Sequence, residues 1–147
     1  MKFMTGSELF LIDTNVLVYA YETEYASKRE KTIELLYKCF RKKIKLAVSN
    51  QNLAEFVSVV TRKGKLSLEQ AKVNVDDILN SDGFVKINYS SSTVLSAIAV
   101  AEEHKMSFWD ALLAATMKEN GIFNIYTENT KDFKMKWIDA VNPFDKD

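Results

Sequence analysis

The run Phe10-Leu11-Ile12 ends on Asp13, and Thr14-Asn15 leads into a second apolar run, Val16-Leu17-Val18-Tyr19-Ala20. The first run, short and bounded in this way, reads as a buried strand (Leu9–Ile12), and the second reads as a short helix (Val16–Tyr21). Open α/β sheets bind their ligands outside the carboxyl ends of the strands. Asp13 therefore stands where such a fold keeps its chemistry. A carboxylate buried at that point needs donors or a cation.

The rest of the chain repeats the alternation. Strands are expected at Lys45–Val48, Phe84–Ile87, within Ile122–Thr127, and as a fifth at Ile138–Val141. Helices are expected at Ser27–Phe40, Asn50–Lys63, Ser67–Asn80, Thr93–His104 and Phe108–Asn120. Capping boxes Ser27-x-x-Glu30 and Ser67-x-x-Gln70 open two of them. Gly64 and Gly121 end two. Strands separated by helices give an α/β fold with a mostly parallel sheet of four or five strands covered on both faces. With 147 residues and no linker or repeat, residues 1–147 are expected to form a single domain.

Composition removes several classes of function. One cysteine, Cys39, excludes an internal disulfide framework and fits a reducing, cytoplasmic setting. One histidine, His104, argues against a His-rich metal site or a His-centred triad. Residues 1–8 lack the apolar stretch of a signal peptide, and no apolar segment is long enough to span a membrane. The formal net charge of zero means that any nucleic-acid contact must come from a local basic surface.

Three later acidic positions are able to join Asp13. Glu55 lies beside the apolar stripe Leu53, Phe56, Val57 and Val60, and reads equally as a boundary glutamate. Asp110 sits in the nearly all-apolar helix that starts at Phe108, where a charge needs a partner. A box Ser107-x-x-Asp110 would satisfy it locally. Asp132 follows a strand, as Asp13 does, and Asn129 could cap a turn there. Arg41-Lys42-Lys43 with Lys45, Arg62-Lys63 with Lys65, and Lys131, Lys134 and Lys136 are the basic groups. Of these, Lys131 and Lys134 stand beside Asp132. Tyr19, Tyr21 and Tyr25 could stack on bases or simply pack.

Ile12-Asp13-Thr14-Asn15, Asn52-Leu53-Ala54-Glu55-Phe56, the block from Trp109-Asp110 to Ala115, and the block from Thr127 to Phe133 occur in an order that resembles a PIN domain. The chain is most similar to the small VapC-type toxins of toxin–antitoxin pairs, from about Leu9 to Phe144. The resemblance implies a metal-dependent ribonuclease on a Rossmann-like sheet, acting on RNA as a homodimer, with a cognate antitoxin as a further partner. Asp13, Glu55 and Asp110 match the family's three core acidic positions. Asn129 stands where members carry an acid or an asparagine, so Asp132 supplies the fourth charge, with help from Glu128.

The chemistry of the residues leads to the same mechanism. Converging carboxylates repel one another and stay partly protonated without a cation. Oxygen-only ligands suit Mg²⁺ or Mn²⁺. Such an ion activates and orients water and neutralises a leaving oxygen, which is phosphodiester hydrolysis. Asp13 and Asp110 are expected as direct ligands, and Glu55 and Asp132 as ligands directly or through water. Thr14, Asn15, Thr127 and Asn129 are candidates to orient them. Arg62, Lys63, Lys131 and Lys134 are the candidate phosphate contacts. Two other readings stand beside this one. One is a haloacid-dehalogenase-like phosphatase, which wants an aspartate where Asn15 stands. The other is a non-catalytic PIN-like binding module.

Overall fold

Alternate residues of the first strand face opposite ways, and this divides the core. In the computed structural model, which describes residues 9–145, Ile12 packs with Leu46, Val48 and Phe84 on one face of the sheet. Leu11 packs with Ala47, Ile87 and Ile125 on the other. The reading of residues 1–8 lies outside the described residues. The strands are β1 (Phe10–Ile12), β2 (Leu46–Ser49), β3 (Phe84–Ile87), β4 (Asn124–Tyr126) and β5 (Asp139–Val141). They form one sheet in the order β3-β2-β1-β4-β5. Every neighbouring pair is parallel, with Leu11 opposite Ala47 on one side and Ile125 on the other. The expected fifth strand is present.

Six α-helices flank the sheet among the described residues: α1 (Thr14–Val18), α2 (Ala26–Phe40), α3 (Asn50–Arg62), α4 (Leu68–Leu79), α5 (Ser91–His104) and α6 (Phe108–Glu119). Side chains of α1 to α4 fill the face that carries Ile12. Helix α6 covers the other face through Leu113, Ala114 and Met117. It turns Ala111, Leu112 and Ala115 outward against α5. Being covered on both sides, α6 is buried along its middle, from Ala111 to Met117, and apolar there apart from Thr116.

Local signals are obeyed where no tertiary contact competes. Ser67 and Gln70 form the reciprocal box that opens α4. Gly64 and Gly121 follow α3 and α6 at φ +69°, the left-handed conformation that glycine adopts without strain. The Ser27–Glu30 box does not form. Helix α2 begins one residue earlier, at Ala26, with Tyr25 at the cap position and no side-chain cap. Tyr25 is held edge-on to Tyr19 at 5.8 Å, and Lys28 lies over both rings. That aromatic contact sets the entry of the chain and leaves Ser27 already inside the first turn.

The order of the strands fixes the site. From β1 the chain first builds outward through β2 and β3, then returns to build β4 and β5 on the opposite side of β1. The crevice at this switch point lies beyond the carboxyl ends of β1 and β4. Asp13 follows β1 directly, and Thr127 follows β4 directly.

Candidate active site

Asp13 caps α1 and lies at the centre of a polar net. Its Oδ1 accepts from the Thr14 N–H at 2.8 Å, and its Oδ2 accepts from the Thr127 hydroxyl at 2.9 Å. Asn15 Nδ2 reaches Oδ2 at 3.4 Å, and Asn52 Nδ2 reaches Oδ1 at the same distance. Burial still pushes the carboxyl up to about 6. The Thr127 and Thr14 bonds oppose that rise, and the charges of Asp110 and Glu55 add to it.

Glu55 is carried by the second turn of α3. Its Oε1 accepts from the Thr14 hydroxyl at 3.3 Å. Loss of water raises its carboxyl above the ordinary range, against the pull of Thr14, and Asp110 raises it further. Asp110 sits in the first turn of α6. Its N–H donates to the Ser107 hydroxyl at 3.2 Å, so half of the expected cap is present. The reciprocal bond, from the Ser107 N–H to its carboxylate, is not formed. Burial raises this carboxyl too, Ser107 lowers it, and Asp132 raises it.

Asp13, Glu55 and Asp110 line one cavity of about 730 Å³, together with Arg62 and Lys63 at the end of α3. Asp132 does not line it. It stands in an adjoining cavity of about 430 Å³ with Asp110, Lys131 and Lys134. Asp110 is thus the wall shared by both spaces. The expected cap at Asn129 is absent: its side chain makes no capping bond, and its backbone carbonyl accepts from the Asp132 N–H at 2.9 Å.

Three of the four expected orienting groups touch a carboxylate directly: Thr14, Asn15 and Thr127. Asn15 Nδ2 also donates to Thr127 Oγ1 at 3.2 Å, and the Asn129 N–H donates to the same oxygen at 3.1 Å. Asn129 therefore acts through its backbone, and its side chain lines the cleft. Glu128 is occupied. Lys28 pairs with it at 2.5 Å and the Tyr19 hydroxyl donates to it at 2.7 Å, so Lys28 already serves its charge.

The other basic groups are not among the residues that line the cleft. Residues 41–45 precede β2 and lie at the opposite edge of the sheet, where Lys42 faces Asp82 at 3.5 Å. Lys65 is bound to Glu22 at 3.0 Å. Among the tyrosines, Tyr21 is bonded through its hydroxyl to Asn74 and packs on Phe56. Tyr19 and Tyr25 line the cleft.

One residue of the net has no counterpart among the candidates read from the sequence. Asn52 is fully buried. Its Oδ1 accepts from the Ser49 hydroxyl at 2.8 Å and from the Ser49 N–H at 3.3 Å. Its Nδ2 donates to Thr14 Oγ1 at 3.2 Å as well as to Asp13. It ties the start of α3 to the end of β1. In sequence it reads as an ordinary polar residue in the first turn of a helix.

The donor set suits a hard divalent ion, being carboxylate oxygen throughout. Among the described residues no three Asp, Glu, His or Cys side chains stand close enough to make a ready-formed cage. Mg²⁺ keeps several of its own waters when bound, so carboxylates that do not form a close cage can still hold it through water.

This fold has known relatives. The sequence matches the PIN domain family over residues 10–136. The chain belongs to the PIN domain family. Comparison with curated proteins found no match. Solved structures with the same PIN fold include a toxin–antitoxin complex from Klebsiella pneumoniae, at 22% identity and TM-score 0.63 over 91% of this chain and 97% of that one. VapBC2 from Rickettsia felis, bound to a promoter DNA fragment, is similar at 20% identity and TM-score 0.64, over 91% and 98%. VapC20 of Mycobacterium tuberculosis, a toxin that cleaves the sarcin–ricin loop, is similar at 20% identity and TM-score 0.61, over 82% and 89%. Membership of the PIN family replaces the phosphatase reading. Asn15, which stands where that reading needs an acid, is an amide that bridges Asp13 and Thr127. No described helix is long and apolar enough to cross a membrane.

Proposed function

We propose that this PIN domain is a Mg²⁺- or Mn²⁺-dependent endoribonuclease and the toxin of a toxin–antitoxin pair. The observation that carries the reading is the cleft that Asp13, Glu55 and Asp110 line together beside Arg62 and Lys63, where burial raises all three carboxyls and the charge of Asp110 raises the other two further. Burial and neighbouring charge make these carboxylates costly to ionise, and a bound cation relieves that cost. Asp13 and Asp110 would hold the ion directly. Glu55 and Asp132 would reach it directly or through water. When bound, the ion supplies a water of lowered pKa and neutralises charge on the leaving oxygen.

The chain's own groups do the rest. Thr14, Asn15, Asn52 and Thr127 keep the carboxylates aimed, as groups behind metal ligands generally do. Glu55 receives the proton of the attacking water. Arg62 and Lys63 on one side of Asp110, and Lys131 and Lys134 on the other, hold the phosphates that flank the cut. Single-stranded or looped RNA is the substrate class, because an unstacked strand can bend into a cleft. The structural likeness to VapC20, a toxin that cleaves the sarcin–ricin loop, is consistent with this choice. Homodimerisation and a cognate antitoxin complete the reading. Ile33 and Tyr37 on α2, with Leu68 and Val73 on α4, offer exposed apolar surface for a protein partner.

Cleavage of single-stranded RNA in Mg²⁺ or Mn²⁺, stopped by a chelator, is the expected result. RNA left intact in either ion would overturn the reading. Affinity should fall with salt at a log–log slope near −0.7 for each phosphate neutralised, by counterion release. Replacing Arg62 and Lys63, or Lys131 and Lys134, by Ala should make that slope shallower by about one to two phosphates' worth. A slope unchanged by either pair would remove these lysines and this arginine from the docking surface.

A further inference from the structure

A second cavity of about 480 Å³ opens from the acidic cleft, and its lining differs in kind. Gln51, Glu55 and Ser58 border both spaces. Beyond them the second cavity is walled by two aromatic rings, Tyr89 and Trp109, and by the amides of Asn50 and Asn88. Among the described residues, no lysine or arginine lines it. Trp109 is 60% exposed and Tyr89 38%, a high exposure for large aromatic side chains. Trp109 is not loose: Phe108, which packs against the α5–α6 core, holds it edge-on at 5.7 Å. Gln51 Nε2 donates to the Trp109 carbonyl at 3.1 Å and pins the start of α6 to α3. The other end of that amide, Gln51 Oε1, is buried and has no hydrogen-bond partner among the described residues.

We infer that this cavity receives an unpaired nucleobase of the RNA, one that flanks the phosphate held in the acidic cleft. The inference rests on the ribonuclease reading and adds where the substrate is gripped. Each feature suits a base. Exposed rings held in place offer a stacking face that any base can use. Neutral amides can meet the donor and acceptor edges of a base, whereas a phosphate would call for cations. Continuity through Gln51, Glu55 and Ser58 lets one strand enter both spaces at once. The size lies within the ~300–1,000 Å³ usual for sites that enclose small ligand groups. Tyr19 and Tyr25 lie at the other end of the cleft and are engaged with Lys28, so Trp109 and Tyr89 are the rings free to stack.

The test compares binding of two single strands by Asp13→Asn protein in Mg²⁺. One is an oligoadenylate. The other has the same length and ribose–phosphate backbone but is abasic throughout. Adding Trp109→Ala should weaken oligoadenylate binding roughly tenfold, the scale of a lost stacking contact, and leave the abasic strand unaffected. Trp109→Phe should restore most of the loss. Tyr89→Ala, which removes the other ring lining the cavity, should repeat the selective effect and covers the case in which the Trp109 variant fails to fold. Equal losses on both strands, or none on either, would overturn the stacking site while leaving the ribonuclease reading intact. Failure of the parent protein to bind either strand would overturn both. Sedimentation of each variant closes the remaining route. If Trp109→Ala dissociates a dimer and the two strands are still discriminated as before, the rings meet a second copy of the chain and the inference is wrong.

Discussion

Replacing Asp13 with Asn is expected to abolish cleavage and, in the absence of metal, to make the protein more stable at neutral pH. The two effects have one cause. The folded protein raises this carboxyl from 3.8 to about 6, so the native state binds the proton more tightly than the unfolded chain does. Stability then falls as pH rises through that window, because the unfolded chain releases the proton first. Below pH 4 the group costs nothing, between pH 4 and 6 the cost grows, and above pH 6 it is complete. Two pH units correspond to at most about 3 kcal/mol. For a chain of this size that is a melting temperature higher by roughly 5–10 °C in the variant at pH 7 in chelator, converging with the wild type at pH 4. Asn keeps an acceptor for the Thr14 N–H, so the cap of α1 survives. The loss of activity should exceed the roughly 10–100-fold typical of removing a group behind a metal ligand. Mg²⁺ should raise the melting temperature of the wild type and not of the variant. A variant that melts lower than the wild type in chelator at pH 7 would show that capping α1, and not holding a cation, is the main work of Asp13.

Asp13 and Asp110 stand out in the sequence because each is an anomaly in its own stretch. Asp13 ends an apolar run, and Asp110 interrupts an apolar helix; such residues need a reason, and the reason is legible without a structure. Glu55 is no anomaly, and only the order of the surrounding blocks singled it out. Asp132 shares an adjoining cavity with Asp110, whose carboxyl its charge raises, and the turn after β4 that carries it is set by contacts no local pattern shows. What stayed hidden are contacts between residues far apart in the chain. Lys28 is 100 positions from Glu128, and their pairing converts a candidate ligand into a neutralised one. Tyr25 is drawn to Tyr19, and this displaces a capping box that local rules favour at Ser27. Tyr89 and Trp109 come from the segment after β3 and from α6, and nothing in either segment announces the other.

Asn52 is the sharpest of these omissions, and its variants separate the scaffold from the chemistry. Its side chain can make four hydrogen bonds and makes four: two accepted from Ser49, one given to Thr14 and one to Asp13. Asn52→Ala strands the buried Ser49 hydroxyl and N–H and opens a small void, at a cost of about 2–4 kcal/mol. The melting temperature should fall by roughly 5–15 °C at any pH. Asn52→Asp is the informative change. It keeps the shape and the acceptor toward Ser49, but it sets a second carboxyl against Asp13 Oδ1, where a donor stood. Two carboxyls at that spacing share a proton, so the variant should be near wild type in stability at pH 5 and clearly weaker at pH 8. Its cleavage rate should drop roughly 10–100-fold, the usual cost of disturbing a group that orients a metal ligand. Thermal melts of both variants at the two pH values, with cleavage assays alongside, decide the matter. If Asn52→Asp loses the same stability at pH 5 as at pH 8, its partner at Asp13 is not ionised in the folded protein. The charge network drawn around β1 would then be wrong.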